Sequence, residues 1–530
     1  MIRKLPRHHQ THQTHPTTTR RGVLAALFQN QVHMIPSTKK SGALLATALL
    51  IGSSINTFAG DGKPDGKIML EKKPDANPLS FLDGKVVFDF QERFRWEIRN
   101  NNFDFNDGVN SVTDDNWFLQ RARLGLAIKP TPWFKIYAQA QDSREINSDR
   151  PDFPGALGAE GDDSFDLRQG YFEIGNAKEF PLTLKAGRQT LVYGDERLIG
   201  ASDWNNLGRT FDAVKLRWEE KAWSLDAFAS SVVVFERGSY NQSDFFNGNE
   251  TGREQIFSGL YFSTTALGPQ TTDLYVLHLH ENANPHFAQN PLGDTNFLTL
   301  GLRVKSKPGA FAHSAPEPLG KGPSDGKSTP PPPVPPKPVG FDYDGEFAFQ
   351  TGDVKGRDLT AFAAHVGTGY TFDIPWTPRL GAEYNFASGD SDPLDREVET
   401  FQNLFPTNHK FYGYADFFSW QNIHDAAISL KAQPVKKVTT QLDYHAFWLA
   451  NTDDSWYRAN GVATVRPLTP AARAADNYVG SEIDFTVTWN VRKEVAIQAG
   501  YSHFFAGSYL GETGAQDDAD FGYLQATVTF

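Results

Sequence analysis

Cysteine is absent from the 530 residues. That excludes disulfide staples and thiolate metal sites, and it suits an oxidising compartment where a free thiol is a hazard. No apolar run approaches the roughly 20 residues a spanning helix needs, so a helical membrane protein is excluded. The usual enzyme signatures are missing too. There is no GxSxG elbow, no HExxH, no phosphate-cradling glycine loop and no cysteine nucleophile, which argues against an enzyme. Methionine is scarce, at three residues, and basic residues fall short of acidic ones, 51 against 63. An acidic balance argues against nucleic acid as a partner.

Aromatic residues are plentiful, at 13 % with 41 Phe. Membrane barrels spend aromatics on interfacial girdles, although a β-sandwich would also be aromatic-rich. The N-terminus reads as targeting sequence. Residues 34–59 form a signal peptide, with Lys39 and Lys40 as basic region, Ala43 to Ile51 as apolar region and Thr57-Phe58-Ala59 before the cleavage point. Residues 1–33 are His-, Thr- and Arg-rich without periodicity, and are either a disordered extension or the product of a start placed ahead of Met34. Residues 1–59 hold seven Lys and Arg and no acid, so the mature chain carries 44 bases against 63 acids.

After a polar leader over 60–84 the chain breaks into alternating segments separated by turns. They lie near 85–99, 116–129, 133–143, 164–175, 181–190, 209–219, 222–234, 254–264, 271–281, 295–305, 341–351, 359–373, 378–388, 422–433, 437–449, 478–490, 494–505 and 519–530. Short connections such as Lys129–Pro132 and Asn490–Lys493 alternate with long polar ones such as 144–163, 191–208 and 389–421. The last segment runs to Phe530 with Gly522, Leu524, Ala526 and Val528 on one parity. Eighteen segments, alternating loop length and an aromatic closing strand predict an all-β fold over 85–530. This is a transmembrane antiparallel β-barrel of about 18 strands in the outer membrane, with short periplasmic turns and long extracellular loops. The proline-rich insert at 306–340 follows the tenth segment, hence faces the periplasm. It reads as a disordered spacer or as a segment that occludes the pore mouth or docks a partner.

Parity sorts the faces, apolar outside and polar inside. Trp96, Trp117, Trp133, Trp218, Trp223, Trp376 and Trp489 fall near segment ends, where girdles sit. Glu92 is an anomaly: it shares parity with Phe88, Phe90, Phe94 and Trp96 and would face lipid, unless a bulge turns it or a proton neutralises it. On the inner parity Arg93 and Arg95 stand beside Arg121 and Arg123 on the adjacent strand. Four guanidiniums on one wall either select an anionic solute at a constriction or form salt bridges that fill a wide lumen. His409 lies near Asp416, with His424 further on, and packing against Tyr412 and Tyr414 is preferred over a metal site or a dyad. No cofactor is expected. The Asp-rich loops 104–115 and 390–395 offer oxygen ligands for Ca²⁺, with a solvated acidic loop the simpler reading.

Three stretches carry a family resemblance: FLQRARLGL (118–126), AGRQTLVYGDERLIGA (186–201) leading to WNNLGRTFDA (204–213), and 386–425 with ASGD at 387–390 and LFPTNHK at 404–410. Together they resemble the alginate export family of outer-membrane barrels. The resemblance implies passage of an anionic uronate polymer through an Arg-rich lumen. It also implies a constriction that includes Arg121, Arg123, Arg188, Arg197 and Arg209 with Asp195 and Asp212. Expected partners are outer-membrane lipid, an anionic polysaccharide or sugar acid, and periplasmic export or uptake components. The alternatives are a general porin for small anionic solutes, or a plugged barrel that binds or adheres through its loops.

Overall fold

The computed structural model describes residues 79–109, 113–150, 162–235, 240–247, 254–282, 293–306, 339–466 and 468–530. The expected N-terminal extension over 1–33, the expected signal peptide over 34–59, most of the leader over 60–84 and nearly all of the proline-rich insert lie outside the described residues. Eighteen strands build the wall. They are β1 (Val86–Asn100), β2 (Asp115–Thr131), β3 (Phe134–Ile146), β4 (Asp163–Asn176), β5 (Phe180–Gln189), β6 (Phe211–Glu219), β7 (Trp223–Val232), β8 (Ile256–Thr264) and β9 (Gln270–Glu281). They continue with β10 (Thr295–Ser306), β11 (Gly340–Val354), β12 (Arg357–Thr371), β13 (Arg379–Ala387), β14 (Ile423–Val435), β15 (Val438–Trp448), β16 (Tyr478–Arg492), β17 (Val495–Ala506) and β18 (Ala519–Thr529). Each expected segment coincides with one strand. Two further two-residue strands, Ser80–Phe81 and Glu397–Val398, only decorate β1 and β12.

Every strand pairs antiparallel with its neighbour in sequence, and β18 closes on β1 from Gln91 opposite Thr529 to Asn100 opposite Asp520. The final Phe530 is part of that seam, its N–H donating to the Phe90 carbonyl at 2.9 Å. Closure leaves no edge of unpaired backbone, which a hydrocarbon environment would penalise heavily. Turns follow their chemistry. Lys355 and Gly356 both adopt positive φ (52° and 74°), as a two-residue hairpin between right-twisted strands requires.

Alternation sets the two faces. Leu124, Leu260, Leu300, Phe347 and Leu524 stand exposed on the outer parity, and Trp96, Trp133, Trp223, Trp376 and Trp489 are exposed at the rims. Trp117 departs from the expected girdle. It is 2 % exposed, shares the inward parity of Leu119 and Arg121, and carries the Arg150 guanidinium 3.5 Å over its ring. The largest difference from expectation is inside. The long loops read as polar, yet several enter the barrel and bring a buried apolar cluster with them. Leu198, Ile199, Phe401, Phe405, Phe417, Phe418 and Trp420 from the loops pack on inward strand residues such as Phe211, Phe257, Phe447 and Phe504. The core of this barrel therefore sits in its lumen.

Candidate functional site: a lumen narrowed by inward-folded segments

Two inward segments meet at the centre of the lumen, with residues of the loops after β1 and β15, such as Phe103 and Arg458, beside them. One runs from β5 to β6 over 190–210, the other from β13 to β14 over 388–422. They meet as a short parallel bridge between Ile199 and Phe405. Gly200 N–H donates to the Phe405 carbonyl at 2.8 Å, Phe405 N–H to the Leu198 carbonyl at 2.9 Å, and Thr407 N–H to the Glu196 carbonyl at 2.9 Å. Backbone groups taken out of water need such partners, and each segment supplies the other's.

The four arginines of β1 and β2 grip the first segment. Arg93 donates to the carbonyls of Asp203 (2.7 Å) and Asn205 (3.2 Å) and to Asn206 Oδ1 (3.2 Å). Arg95 donates to the Trp204 carbonyl at 2.7 Å, lies 4.0 Å over the Trp204 ring, and pairs with Glu97 at 2.5 Å. Arg121 reaches the Asp203 and Asn205 carbonyls, both at 3.1 Å. Arg123 bonds Asp203 Oδ1 at 2.7 Å. All four guanidiniums are buried. Burial by itself would raise the Asp203 carboxyl, but Arg121, Arg123 and Arg168 hold it well below the usual carboxylate range. The ladder thus clamps the segment that narrows the channel instead of lining open water.

The family-derived set divides three ways. Asp195 accepts from Arg303 (3.0 and 2.7 Å) and Lys305 (2.8 Å), which pins the start of the first segment to β10. Arg197 is buried against the Phe411 ring, 4.0 Å away, and donates to Tyr412 Oη at 3.2 Å, which ties the two segments together. Arg209 donates to the Pro406 carbonyl at 2.7 Å and also borders open space; burial pushes its guanidinium down to about 10, so it keeps its charge at neutral pH. Arg188 and Asp212 are different, and here the expectation is corrected. They face each other across β5 and β6 and share the parity of Leu184, Ala186, Val214 and Leu216, the outward set. Their bidentate pair (2.9 and 3.0 Å) stitches the wall and contributes nothing to the lumen. Strand alternation alone places them outward; the resemblance points the other way.

Two cavities lie in the lumen among the described residues. The upper, of about 370 Å³, is bordered by Arg99, Arg209, Arg458, Glu97, Asp416 and Trp204. The lower, of about 190 Å³, is bordered by Arg379, Lys410, His445, Asp344, Glu383 and Asp443. His409 borders both. Its ring is stacked on Trp204 at 3.9 Å and 12°, edge-on to Tyr414 at 4.7 Å, and its Nδ1 lies 2.9 Å from Asp416 Oδ1. The 3₁₀ turn Asn408–Lys410 is therefore the waist between the cavities. Burial would raise the Asp416 carboxyl, yet His409, Arg99 and Arg95 hold it below its ordinary value. His424 takes no part; it sits on the outer wall beside Tyr384. Among the described residues no group of three or more His, Asp or Glu is placed to hold a metal ion.

Sequence reading missed Asp203, Trp204, Arg168, Arg458 and the waist. Asp203 had a signal: it is the one acid between Arg197 and Arg209, beside the stretches that carry the family resemblance. Arg458 had none, because its place depends on which loops turn inward.

A closed barrel with an outward apolar belt and a loop-narrowed polar lumen defines an outer-membrane β-barrel channel. The family model described as Alginate export matches residues 86–523, and the chain belongs to that family. The fold is shared with solved structures from Pseudomonas aeruginosa. OpdK with vanillate gives a TM-score of 0.52 at 11 % identity over 84 % of this chain and 98 % of that one. OpdL gives 0.51 at 10 % identity over 84 % and 98 %. OccD3 gives 0.50 at 13 % identity over 84 % and 91 %. At such identities the likeness concerns the fold alone. Among curated proteins, none matches the sequence.

Proposed function

We propose that this channel passes an anionic sugar acid or polyuronate by passive diffusion, along the two cavities and past the waist at Asn408–Lys410. The observation that carries this reading is the set of bases bordering the free space: Arg99, Arg209 and Arg458 above the waist, Arg379 and Lys410 below it. Cationic side chains in a narrow, partly desolvated passage attract anions, and the interleaved Glu97, Asp416, Asp344 and Glu383 keep an anion from binding too firmly to leave. Arg93, Arg95, Arg121 and Arg123 act one step back, by holding 203–206 where the passage narrows. A second reading, a channel for small anionic solutes, is favoured by the modest lower cavity of about 190 Å³.

Planar-bilayer conductance of the refolded chain tests both. Anion-selective reversal potential in a KCl gradient, with block by oligouronate, supports the polyuronate reading. Anion selectivity with block by the monomeric acid but not by oligomers supports the second. Conductance without anion preference sinks both, and a folded barrel that does not conduct points to a plugged barrel whose loops do the work.

A further inference from the structure

Both cavities are bordered by charges of both signs, but they differ in which sign is left without a counter-charge. Above the waist the acids are matched. Glu97 pairs with Arg95 at 2.5 Å and lies 3.7 Å from Arg99, and Asp416 lies 3.5 Å from Arg99 and 2.9 Å from His409. Two bases there are not. Arg209 donates to the carbonyls of Gly200 (3.2 Å) and Pro406 (2.7 Å). Arg458 donates to the Thr464 carbonyl at 3.0 Å and lies 3.9 Å over the Phe103 ring. Among the described residues neither has a carboxylate within ion-pair distance.

Below the waist the bases are matched instead. Arg379 is held by both oxygens of Asp342, at 2.9 and 2.5 Å, Lys410 by Glu196, and His445 lies 3.0 Å from Asp425. Two acids are left. Glu383 accepts from the Asn385 amide at 3.0 Å, and Asp443 from the Gln441 amide at 3.1 and 2.8 Å. Among the described residues neither has a base within ion-pair distance. Small inward residues, Gly381, Ala427 and Ser429, lie between them and leave both facing the open space. The walls repeat the division. Beside the upper cavity Arg121, Arg123 and Arg168 share the one carboxylate of Asp203. Beside the lower one, Glu482 and Asp484 on β16 stand buried opposite His445 and Asp443, and no base is within ion-pair distance of either among the described residues.

Fixed charge that no neighbour neutralises is neutralised by mobile ions, and in a narrow passage it selects which ion fills each stretch. The upper cavity adjoins the long loops after β1 and β15, and the lower one the strand ends near the short turns, so they face the outside and the periplasm. We propose that the waist at Asn408–Lys410 is a junction between an anion-filled outer cavity and a cation-filled periplasmic one, and that the channel therefore conducts better in one direction. With the periplasmic side positive, anions from above and cations from below are both driven into the waist and conductance rises. With the opposite polarity both are drawn out of it and conductance falls. This rests on an open lumen and is independent of which solute the channel passes.

Single-channel currents of the refolded chain in symmetrical KCl, at mildly alkaline pH and at equal and opposite voltages, test it. In roughly 0.1 M salt, where the Debye length is about 10 Å, the ratio of the two currents is at least about twofold. In roughly 1 M salt, where that length is about 3 Å, it falls close to one. The chain has no cysteine, so Val462→Cys, exposed in the loop beside Arg458, marks the outer end when a thiol-reactive polymer added to one side steps the current down. Glu383→Gln with Asp443→Asn lowers the ratio, Arg458→Gln lowers it, and the three together bring it close to one. Heat-modifiable migration checks that each barrel has folded. Where the acidic pair of changes does not fold, Asp443→Asn alone serves, and it also lowers the ratio. A ratio near one in low salt, a ratio that survives high salt, a favoured direction with the outer side positive, or folded variants that keep the full ratio overturns the proposal. So does a folded barrel that passes no current. Anion preference is read separately, from the reversal potential in a salt gradient, so either reading can fail while the other stands.

Discussion

Residues 203–206 and Phe405 belong to segments that enter the same lumen, but opposite chemistry holds them. The first is gripped from β1 and β2 by guanidiniums on backbone carbonyls, with Asp203 as counter-charge. The second is gripped by rings: Phe405 lies edge-on to Phe211 at 5.3 Å and to Phe257 at 4.8 Å. A guanidinium clamp is directional and fixes which carbonyl points where, so it sets the shape of the passage. A ring clamp is set by volume, so it supplies packing energy and tolerates rotation more than loss. The narrow part of the channel borrows position from the one and cohesion from the other.

Four variants and one titration probe the difference between the two clamps. Phe405→Ala removes a ring from the centre of the lumenal cluster and should cost about 3–5 kcal/mol in detergent-unfolding experiments. A loss below about 1 kcal/mol would show that the cluster does not hold the segment. Asp203→Ala leaves Arg121, Arg123 and Arg168 without their shared counter-charge. The Asp203 side chain is half exposed, so about 2–3 kcal/mol is expected, below the range for a fully buried pair. Released from its clamp, 203–206 should also let conductance rise, which Phe405→Ala should do less. The double variant asks whether the clamps are separate. The Ile199–Phe405 bridge joins the segments, so its cost should depart from the sum of the single variants by more than about 0.5 kcal/mol, and simple additivity would mean two independent devices.

Acid tests the polar clamp alone. Asp203 has its carboxyl depressed by three guanidiniums, so its contribution to stability is fully present above the ordinary carboxylate value, declines below it, and is gone once pH has fallen through the depressed one. Asp203 should therefore keep its charge, and the conductance it controls should hold steady, as pH drops through the usual carboxylate range, while its contribution to stability declines from that range downward. A conductance transition at about pH 4, the value of a free Asp, would show the clamp absent. The smallest effect belongs to Lys410, whose half-exposed ammonium at the waist pairs with Glu196. Lys410→Glu should move the reversal potential toward cations and leave stability within about 0.5 kcal/mol.

Much of the wall is legible in the order of residues alone. Strand positions, the inward ladder Arg93, Arg95, Arg121 and Arg123, and the outward aspect of Glu92 all follow from period-2 alternation, which depends only on neighbours in the chain. Arg188 and Asp212 are legible by the same rule, and only the weight given to a family pattern over parity turns them inward. The loops are another matter. Their composition is polar, and nothing local in 191–208 or 389–421 announces that Leu198, Ile199, Phe401 and Phe405 meet inside the barrel.

A closed, 18-stranded wall and the side chains that each of its faces presents are therefore written in the chain. Alternation and closure are set by short-range geometry and by the need to leave no backbone group unpaired in lipid. What the lumenal arginines do is settled at another level. Arg93 meets Asp203 and Arg209 meets Pro406 across 110 and 197 residues of chain. Contacts of that span exist only once the loops have turned inward and exchanged their backbone hydrogen bonds with water for those with one another.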